Sequence, residues 1–189
     1  KIPAVMRCLK IMSELKIRNS IKIILLNNKN KSLLLSTDDK SIKTSEGKYN
    51  GKFWQLIGGK IENGETLLQA AKRELFEETG LSEKDVTFGD VVWKGELDLN
   101  MQGYLTHINQ FFIYAKANKE NVTLKNLTDE EKPVIKSFEW MSLEQIKNSN
   151  DIIYPIVLPE YLSDIIEGKF PKEAIFIDLA KQPNKEKKN

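Results

Sequence analysis

The alternation of apolar and polar residues near the start of the chain predicts a β-hairpin. The segment SIKIILLNN is rich in Ile and Leu, NNKNK supplies a turn, and KSLLLST repeats the apolar pattern. We therefore expect two strands between Ser20 and Thr37. The polar stretch from Asp38 to Lys52 is rich in Gly, Ser, Asn and Lys, which is typical of a mobile loop, and we expect it to close over a substrate.

The rest of the chain mixes strand and helix patterns. After KFWQLIGGKI, a helical pattern runs from about Leu67 to Thr79, and strands are predicted at VTFGDVVWKGELDL, THINQFFIYAKAN and KSFEWMS. Ser142 and Gln145 have capping-box spacing, so a helix should begin at Leu143. PIVLPEYLSDIIEG predicts a last helix that starts at a proline and ends at Gly168. These elements predict one α/β domain.

Composition and charge narrow the possible classes of protein. The chain has 189 residues, 40% hydrophobic and 30% charged, which is typical of a globular domain with a substantial core. A formal net charge of +2 gives no support for nucleic-acid or membrane binding through bulk charge. No apolar run approaches the length of a membrane span. Cys8 is the single cysteine, so we expect no internal disulfide and a reducing, cytoplasmic location.

Both ends of the chain are predicted to lie outside the domain. Residues 1–16 are interpreted as an extension or a tag remnant, because the chain begins with Lys and a conventional start, MSELKIRNS, occurs at Met12. Residues 180–189 are polar and rich in lysine, which predicts a disordered tail. The domain itself is then assigned to residues 17–179.

The helix between Leu67 and Thr79 has well-marked ends. Thr66 and Gln69 have the spacing of a capping box, in which each side chain bonds the backbone of the other residue. Gly80 occupies the position of a left-handed cap. The rotational positions of the residues between these caps can therefore be assigned.

Carboxylates lie on or beside the apolar side of this helix. At about 100° per residue, Glu74 and Glu78 share the side of the apolar residues, and Glu77 lies at its flank. Such close carboxylates repel one another, and Arg73, four residues before Glu77, offsets only one charge. A divalent cation is the natural remaining partner, and oxygen ligands without His or Cys favour Mg²⁺ or Mn²⁺ over zinc. From helix geometry alone, a solvated face with loose ion pairs remains the alternative.

The spacing of these residues matches a family signature. The pattern reads Gly59, five residues, Glu65, seven residues, Arg73-Glu74-Leu75, one residue, Glu77-Glu78, one residue, Gly80-Leu81. In this pattern the chain resembles the Nudix hydrolases, and FWQLIGG with the order of elements extends the likeness to about residues 20–143. Ile57 departs from the family, because many members have Pro before the glycine pair, and this affects the stiffness of the loop more than its chemistry.

The resemblance implies an α/β/α sandwich with a mixed sheet, in which the signature forms a loop, a helix and a loop that hold Mg²⁺ or Mn²⁺. Gly58 would let the backbone approach closely, Arg73 would orient the glutamates, and Glu65 would stabilise the loop. The implied metal ligands are Glu74, Glu77, Glu78 and the backbone carbonyl of Gly59.

The resemblance also implies hydrolysis of a nucleoside diphosphate linked to another moiety. In this family the general base is often a glutamate in a loop before a strand, so the candidates here are Glu130 and Glu131, then Glu139. A single glutamate of this kind is more often a plain surface acid, and a signature glutamate is the alternative base. We assign catalysis to Arg73, Glu74, Glu77 and Glu131.

Residues near the glycine pair are candidates for binding the substrate. The rings of Tyr49 and Trp54 can stack on a base, and Lys48 and Lys52 can meet phosphates. The alternative without a binding role is that the rings belong to the core or its rim and that the lysines are solvated. The substrate-binding assignment comprises Tyr49, Lys52, Trp54 and Gly58.

The sequence leaves several functions open. Nucleoside triphosphates, ADP-ribose-like sugars, dinucleoside polyphosphates and dinucleotide cofactors are all possible substrates. A non-catalytic Nudix module that senses a nucleotide or ADP-ribose is the alternative function, although such modules tend to lose signature glutamates that this chain retains. A nucleic-acid-processing relative, such as a decapping enzyme, is disfavoured by the near-neutral charge. The oligomeric state is open, with a homodimer as one option.

Overall fold

A computed structural model describes residues 16–39, 52–101 and 104–181 of the chain. Within these residues, a mixed sheet of eight strands carries helices on both faces. The strands are β1 (Lys16–Leu26), β2 (Ser32–Asp38), β3 (Lys52–Leu56), β4 (Val86–Met101), β5 (Tyr104–Ala117), β6 (Ile135–Met141), β7 (Ile153–Tyr154) and β8 (Ile175–Phe176). The helices are α1 (Leu67–Thr79), α2 (Leu143–Asn148) and α3 (Leu158–Ile166).

The strand order is β7-β3-β2-β1-β5-β4-β8, with β6 paired to β2. The expected hairpin of β1 and β2 is present, but the two strands pair in register only at Leu26 and Ser32, beside the turn. Over its whole length β1 instead runs parallel to β5. As β1 and β2 separate, the segment after β3 crosses to β1, where Ile57 bridges Ile23 and Lys60 bridges Ser20.

Alternate side chains of β1 enter two different cores. Ile21, Ile23 and Leu25 pack in the cluster that contains the apolar side of α1. Ile24 and Leu26 pack in the cluster that contains residues of α2 and α3. A strand buried on both faces has a nearly continuous apolar sequence, which explains the run IKIILL at residues 21–26 of β1. The α/β/α arrangement with a mixed sheet is confirmed.

The helix ends agree with their local signals in two of three cases. α1 runs from Leu67 to Thr79, with its capping box and left-handed cap formed as expected. α2 begins at Leu143 behind the capping box of Ser142. The expected start of the last helix at Pro155 is wrong, because α3 begins at Leu158 and its first turn contains Pro159. The short strands β7 and β8 were not expected, since two-residue strands leave no periodic signal.

The polar stretch between β2 and β3 is shorter than the sequence indicated. Asp38 and Lys52 are strand residues that pair with each other across β2 and β3. Residues 40–51, with Lys48 and Tyr49, lie outside the described part of the chain, so the expected covering loop stays a prediction. Among the described helices, none has the length and apolar character that crossing a membrane requires.

Candidate metal centre

The glycine pair after β3 lies directly against β1. Gly58 has a φ of +125°, and a Cβ added there would lie 2.1 Å from the backbone oxygen of Ile21. The backbone oxygen of Gly59 accepts a 3.0 Å hydrogen bond from the N–H of Ile21. A Cβ added at Gly59 would lie 2.6 Å from Oε1 of Glu74. Only glycine therefore allows the loop to contact both the strand and the first signature glutamate.

Two signature glutamates are buried beside this loop. The residues Glu74 and Glu78 are 4% and 3% exposed. One oxygen of each lies within 4.8 Å of the other and of an oxygen of Glu131, which comes from the turn before β6. We call Glu74, Glu78 and Glu131 the carboxylate group. Buried carboxylates on the inward side of α1 exclude a solvated face for these two residues.

The environment of the carboxylate group disfavours negative charge. Burial is the largest influence on Glu78 and raises its pKa to about 8, while Lys22 opposes the increase and Glu74 adds to it. Oε2 of Glu78 also accepts a 2.6 Å hydrogen bond from the N–H of Gly58. Burial likewise raises the pKa of Glu74, against the lowering effect of Arg73. Strongly perturbed carboxylates that share a site are typical of functional centres, and a bound cation would favour their ionised form.

Arg73 organises the other acids of the signature. Its Nε and Nη2 donate to the two carboxylate oxygens of Glu65 at 2.7 and 2.9 Å, which holds the pKa of Glu65 at about 2. Its Nη1 donates to Glu74 at 2.7 Å and to Glu77 at 3.1 Å. The carboxylate of Glu77 thus pairs with Arg73 beside the carboxylate group, and Arg73 connects the loop acid Glu65 to the helix.

The three candidate bases lie in different environments. Oε2 of Glu131 accepts hydrogen bonds from the N–H and the hydroxyl of Thr128, at 2.9 and 2.8 Å, which fixes the side chain in the turn. Glu130 is exposed. Glu139 is exposed on β6, where the amide of Gln145 lies 3.5 Å from its carboxylate. Of the three, the structure brings only Glu131 into the carboxylate group.

A known protein family matches most of the chain. The family description "NUDIX domain" matches residues 16–160, which is more than half of the chain. The chain belongs to the Nudix hydrolase family. Its members act on phosphoric anhydrides, and the region matched contains the whole carboxylate group.

Individual relatives differ in how much of their length this Nudix chain covers. It is 28% identical over 140 residues to a protein named RNA pyrophosphohydrolase from Pelagibacter ubique, covering 70% of this chain and 80% of that protein. It is 30% identical over 114 residues to Nudix hydrolase 19, chloroplastic, from Arabidopsis thaliana, covering 59% of this chain but only 23% of the plant protein.

A solved structure shows the same fold. The crystal structure of a MutT protein from Methanosarcina mazei Go1 matches with a TM-score of 0.60 and 21% sequence identity. The match covers 85% of this Nudix chain and 99% of the other chain. At this level of identity the likeness concerns the architecture alone.

Of the residues predicted to bind substrate, the structure describes Lys52, Trp54 and Gly58, which lie at different places in the Nudix fold. Gly58 lies at the carboxylate group through its bond to Glu78. The indole N–H of Trp54 donates to Asp151 at 3.0 Å, and its ring packs against the core of α2 and α3. Lys52 is exposed at the start of β3. The structure thus brings one of these residues to the carboxylate group, and the binding roles stay predictions.

Sequence reasoning missed two cations from β1. Nζ of Lys22 donates to the backbone oxygens of Gly58 and Leu56 at 2.7 and 3.2 Å and to Oε1 of Gln55 at 2.9 Å. Burial lowers the pKa of Arg18, while Glu74 raises it, so this guanidinium also faces the site. The available signal was a lysine inside the apolar run SIKIILL, a position that is costly for a cation without a partner.

Proposed function

We propose that this protein is a divalent-metal-dependent pyrophosphohydrolase that cleaves the pyrophosphate linkage of a nucleoside diphosphate derivative. The observation that carries the proposal is the convergence of Glu74, Glu78 and Glu131, whose oxygens lie within 4.8 Å of one another. Membership of the Nudix family supports the reaction class. The donors are carboxylate and backbone oxygens, which favour Mg²⁺ or Mn²⁺.

The residues present fit a divalent cation. The buried pair Glu74 and Glu78 would be ligands, and Glu77, which shares Arg73 with Glu74, would contribute from the flank. A bound divalent cation would neutralise the charge of the pyrophosphate and activate a water. The absence of a Cβ at Gly59 leaves the carboxylate of Glu74 in place. Arg73 would keep Glu74 and Glu77 in fixed orientations, as a clamp of charge-assisted hydrogen bonds does.

We assign the general base to Glu131. Its position in the carboxylate group puts it beside the reacting water in this proposal, and Thr128 fixes its orientation through two hydrogen bonds. A base must reach the proton that it removes, and a fixed carboxylate does so without reorganisation. Glu130 shares the turn but is exposed, so it provides a matched control.

The alternative function is a module that binds a nucleotide or ADP-ribose without turnover. The retained signature glutamates and the proximity of Glu131 to two of them favour an enzyme. A small nucleotide is the proposed substrate class. Since the Pelagibacter relative is named RNA pyrophosphohydrolase, an RNA with a 5′-triphosphate belongs among the substrates tested.

A substrate screen tests this proposal. The purified protein is incubated with nucleoside triphosphates, ADP-ribose, dinucleoside polyphosphates, dinucleotide cofactors and a 5′-triphosphorylated RNA, each with Mg²⁺, Mn²⁺ or a chelator. We expect metal-dependent release of a nucleoside monophosphate, of pyrophosphate or of phosphate from at least one class. Binding of these ligands without turnover in either metal would instead establish the sensing module.

The best substrate then tests the base. Glu131→Gln should lower kcat by about 10²-fold or more, the usual scale of general base catalysis. Glu130→Gln should retain the parent kcat, because its side chain is outside the carboxylate group. Full activity of the Glu131 variant would move the role of base to a signature glutamate.

A further inference from the structure

Lys22 is a partly buried cation in the apolar part of β1. It lies on β1 between Ile21 and Ile23, both of which are fully buried. Its ammonium donates to three oxygens of the segment that leads into the glycine pair: the backbone oxygens of Leu56 and Gly58 and Oε1 of Gln55. A lysine has three N–H donors. The protein itself therefore uses all of them, which leaves none for a substrate phosphate.

Gly58 connects this ammonium to the carboxylate group. Its backbone oxygen accepts from Lys22 at 2.7 Å, and its N–H donates to Glu78 at 2.6 Å. Burial lowers the pKa of Lys22, whereas Glu78 first and Glu74 second raise it, and Glu131 acts in the same direction. All members of the carboxylate group thus stabilise the charge of this one ammonium.

The other cations nearby are engaged differently. Arg73 donates hydrogen bonds to the carboxylates of Glu65, Glu74 and Glu77. Arg18 is close enough to lower the pKa of Lys22 by charge repulsion. Among the cations in the described part of the chain, Lys22 therefore combines hydrogen bonds to backbone oxygens with electrostatic attraction to all three members of the carboxylate group.

We infer that Lys22 is an internal counter-cation of the carboxylate group and competes with the divalent cation for it. The inference rests on the proposed function, because it concerns the metal of that same site. Like the divalent cation, the ammonium is stabilised by backbone and carboxylate oxygens, and two cations held close together repel. Lys22 thus stabilises the metal-free protein and weakens metal binding. It is a positioning residue, since its donors are all bound to the chain.

Charge and hydrogen bonding can be separated with three substitutions. Lys22→Met removes the charge and the donors, Lys22→Gln removes the charge but keeps an N–H₂ donor, and Lys22→Arg keeps the charge. Lys116→Met is the matched control. Nζ of Lys116 donates to the backbone oxygen of Asn27, in the turn between β1 and β2, at 2.7 Å. This variant therefore also removes a hydrogen bond from a lysine to a backbone carbonyl.

The measurements are Mn²⁺ affinity by calorimetric titration and thermal melting in chelator. We expect Lys22→Met and Lys22→Gln to bind Mn²⁺ about tenfold tighter or more, and to melt below the parent without metal. Lys22→Arg should bind Mn²⁺ no tighter than the parent. Lys116→Met should melt lower with unchanged affinity. Loss of a counter-cation should raise Mn²⁺ affinity and lower metal-free stability. Loss of a residue that only supports the loop should lower both the affinity and the stability.

The inference is overturned if neither Lys22→Gln nor Lys22→Met binds Mn²⁺ more tightly than the parent, or if Lys22→Arg gains as much affinity as they do. Lys22→Gln decides the question if the Met variant fails to fold, because it retains a donor for the carbonyls. The proposed function fails separately, through a parent that hydrolyses none of the substrates with metal. A parent with weak Mn²⁺ binding and a Gln variant with tight binding would support the inference even then.

Discussion

At the scale of single residues, the acids of the signature divide into two kinds. Glu74 and Glu78 are buried, and their charges lie close to Glu131. Glu65 and Glu77 bond Arg73 at the edge of the site. Glu74 belongs to both sets, because it also accepts from Arg73. The buried acids are suited to hold a cation, and the others to hold the arginine in place.

Glu78→Gln should abolish most of the activity without lowering metal-free stability. The substitution removes one of three close carboxylates at nearly constant shape, and the Gln oxygen can still accept from the N–H of Gly58. We expect kcat to fall by about 10²-fold or more and the metal-free melting temperature to equal or exceed that of the parent. Glu83→Gln, on the surface beside Lys72, is the control. A variant that stays active, or that melts well below the parent in chelator, would return Glu78 to a structural role.

Glu65→Gln should make stability less dependent on pH in acid. The folded pKa of Glu65, about 2, lies below the ordinary value near 4.3, so its ionised form stabilises the fold above that ordinary value. This contribution is lost as pH falls from about 4.3 to about 2. At neutral pH we expect the variant to lose about 1 kcal/mol, or about 2–4 °C, and the gap should shrink across that window.

The control for Glu65 is Glu62→Gln. Glu62 pairs with Lys60 at 3.0 Å, but both side chains are 54% exposed, so the pair should contribute little. Melting curves of both variants and the parent between pH 7 and pH 2.5 give the comparison. A gap that stays constant through the acid range would show that Glu65 acts through packing rather than through its charge.

At the scale of elements, α1 is positioned by contacts at both ends. Its N-terminus is closed by the capping box of Thr66 and Gln69. At its C-terminal end, Gly80 forms the left-handed cap. The backbone oxygen of Thr79, the last helical residue, accepts a 2.8 Å hydrogen bond from the N–H of Thr123. Because Glu74 and Glu78 lie on the inward side of this helix, a small rotation would move both carboxylates together.

Gly80→Ala should destabilise the protein more than Gly168→Ala. Both glycines have left-handed backbone, with φ of +70° and +75°, so each Ala carries a similar backbone cost of about 1 kcal/mol. At Gly80 the new Cβ would lie 2.4 Å from Cγ2 of Thr123, whereas at Gly168 it meets no atom within 4 Å. We expect a loss of about 2–3 kcal/mol at Gly80, measured by denaturant unfolding. Equal losses at the two positions would show that Thr123 moves aside freely.

At the scale of the whole molecule, the carboxylate group joins distant parts of the chain. Glu74 and Glu78 come from α1, and Glu131 comes from the turn before β6. The glycine pair reaches them from the end of β3 and is fixed to β1. A cation held among these residues would therefore cross-link segments that are distant in sequence, and its binding should stabilise the fold as a unit.

Mg²⁺ should raise the melting temperature of the parent by more than it raises the melting temperature of Glu131→Gln. A ligand that binds only the folded protein adds about 2.7 kcal/mol at a concentration of 100 times its Kd. The Gln variant loses one of the three close carboxylate charges that attract the cation, so its metal-induced shift should shrink. Glu130→Gln, on the exposed side of the same turn, should keep the parent shift. Equal shifts for all three proteins would remove Glu131 from the metal site.

Local signals in the sequence determined much of this molecule. The capping boxes at Thr66 and Ser142 and the left-handed Gly80 fixed the helix boundaries, because these interactions are made between residues close in sequence. The spacing from Gly59 to Leu81 identified the signature acids for the same reason. The start of α3 was not predicted correctly, since Pro155 and Pro159 both suit the beginning of a helix.

Only the tertiary structure decided which residues meet at the site. The parallel pairing of β1 with β5, the crossing of the glycine pair to β1 and the choice of Glu131 over Glu130 join segments that are distant in sequence. Lys22 showed only as a cation in an apolar run, and its role depends on carbonyls more than thirty positions away. Sequence periodicity records which side of an element a residue faces, whereas its partner across the core is set by the packing of the whole chain.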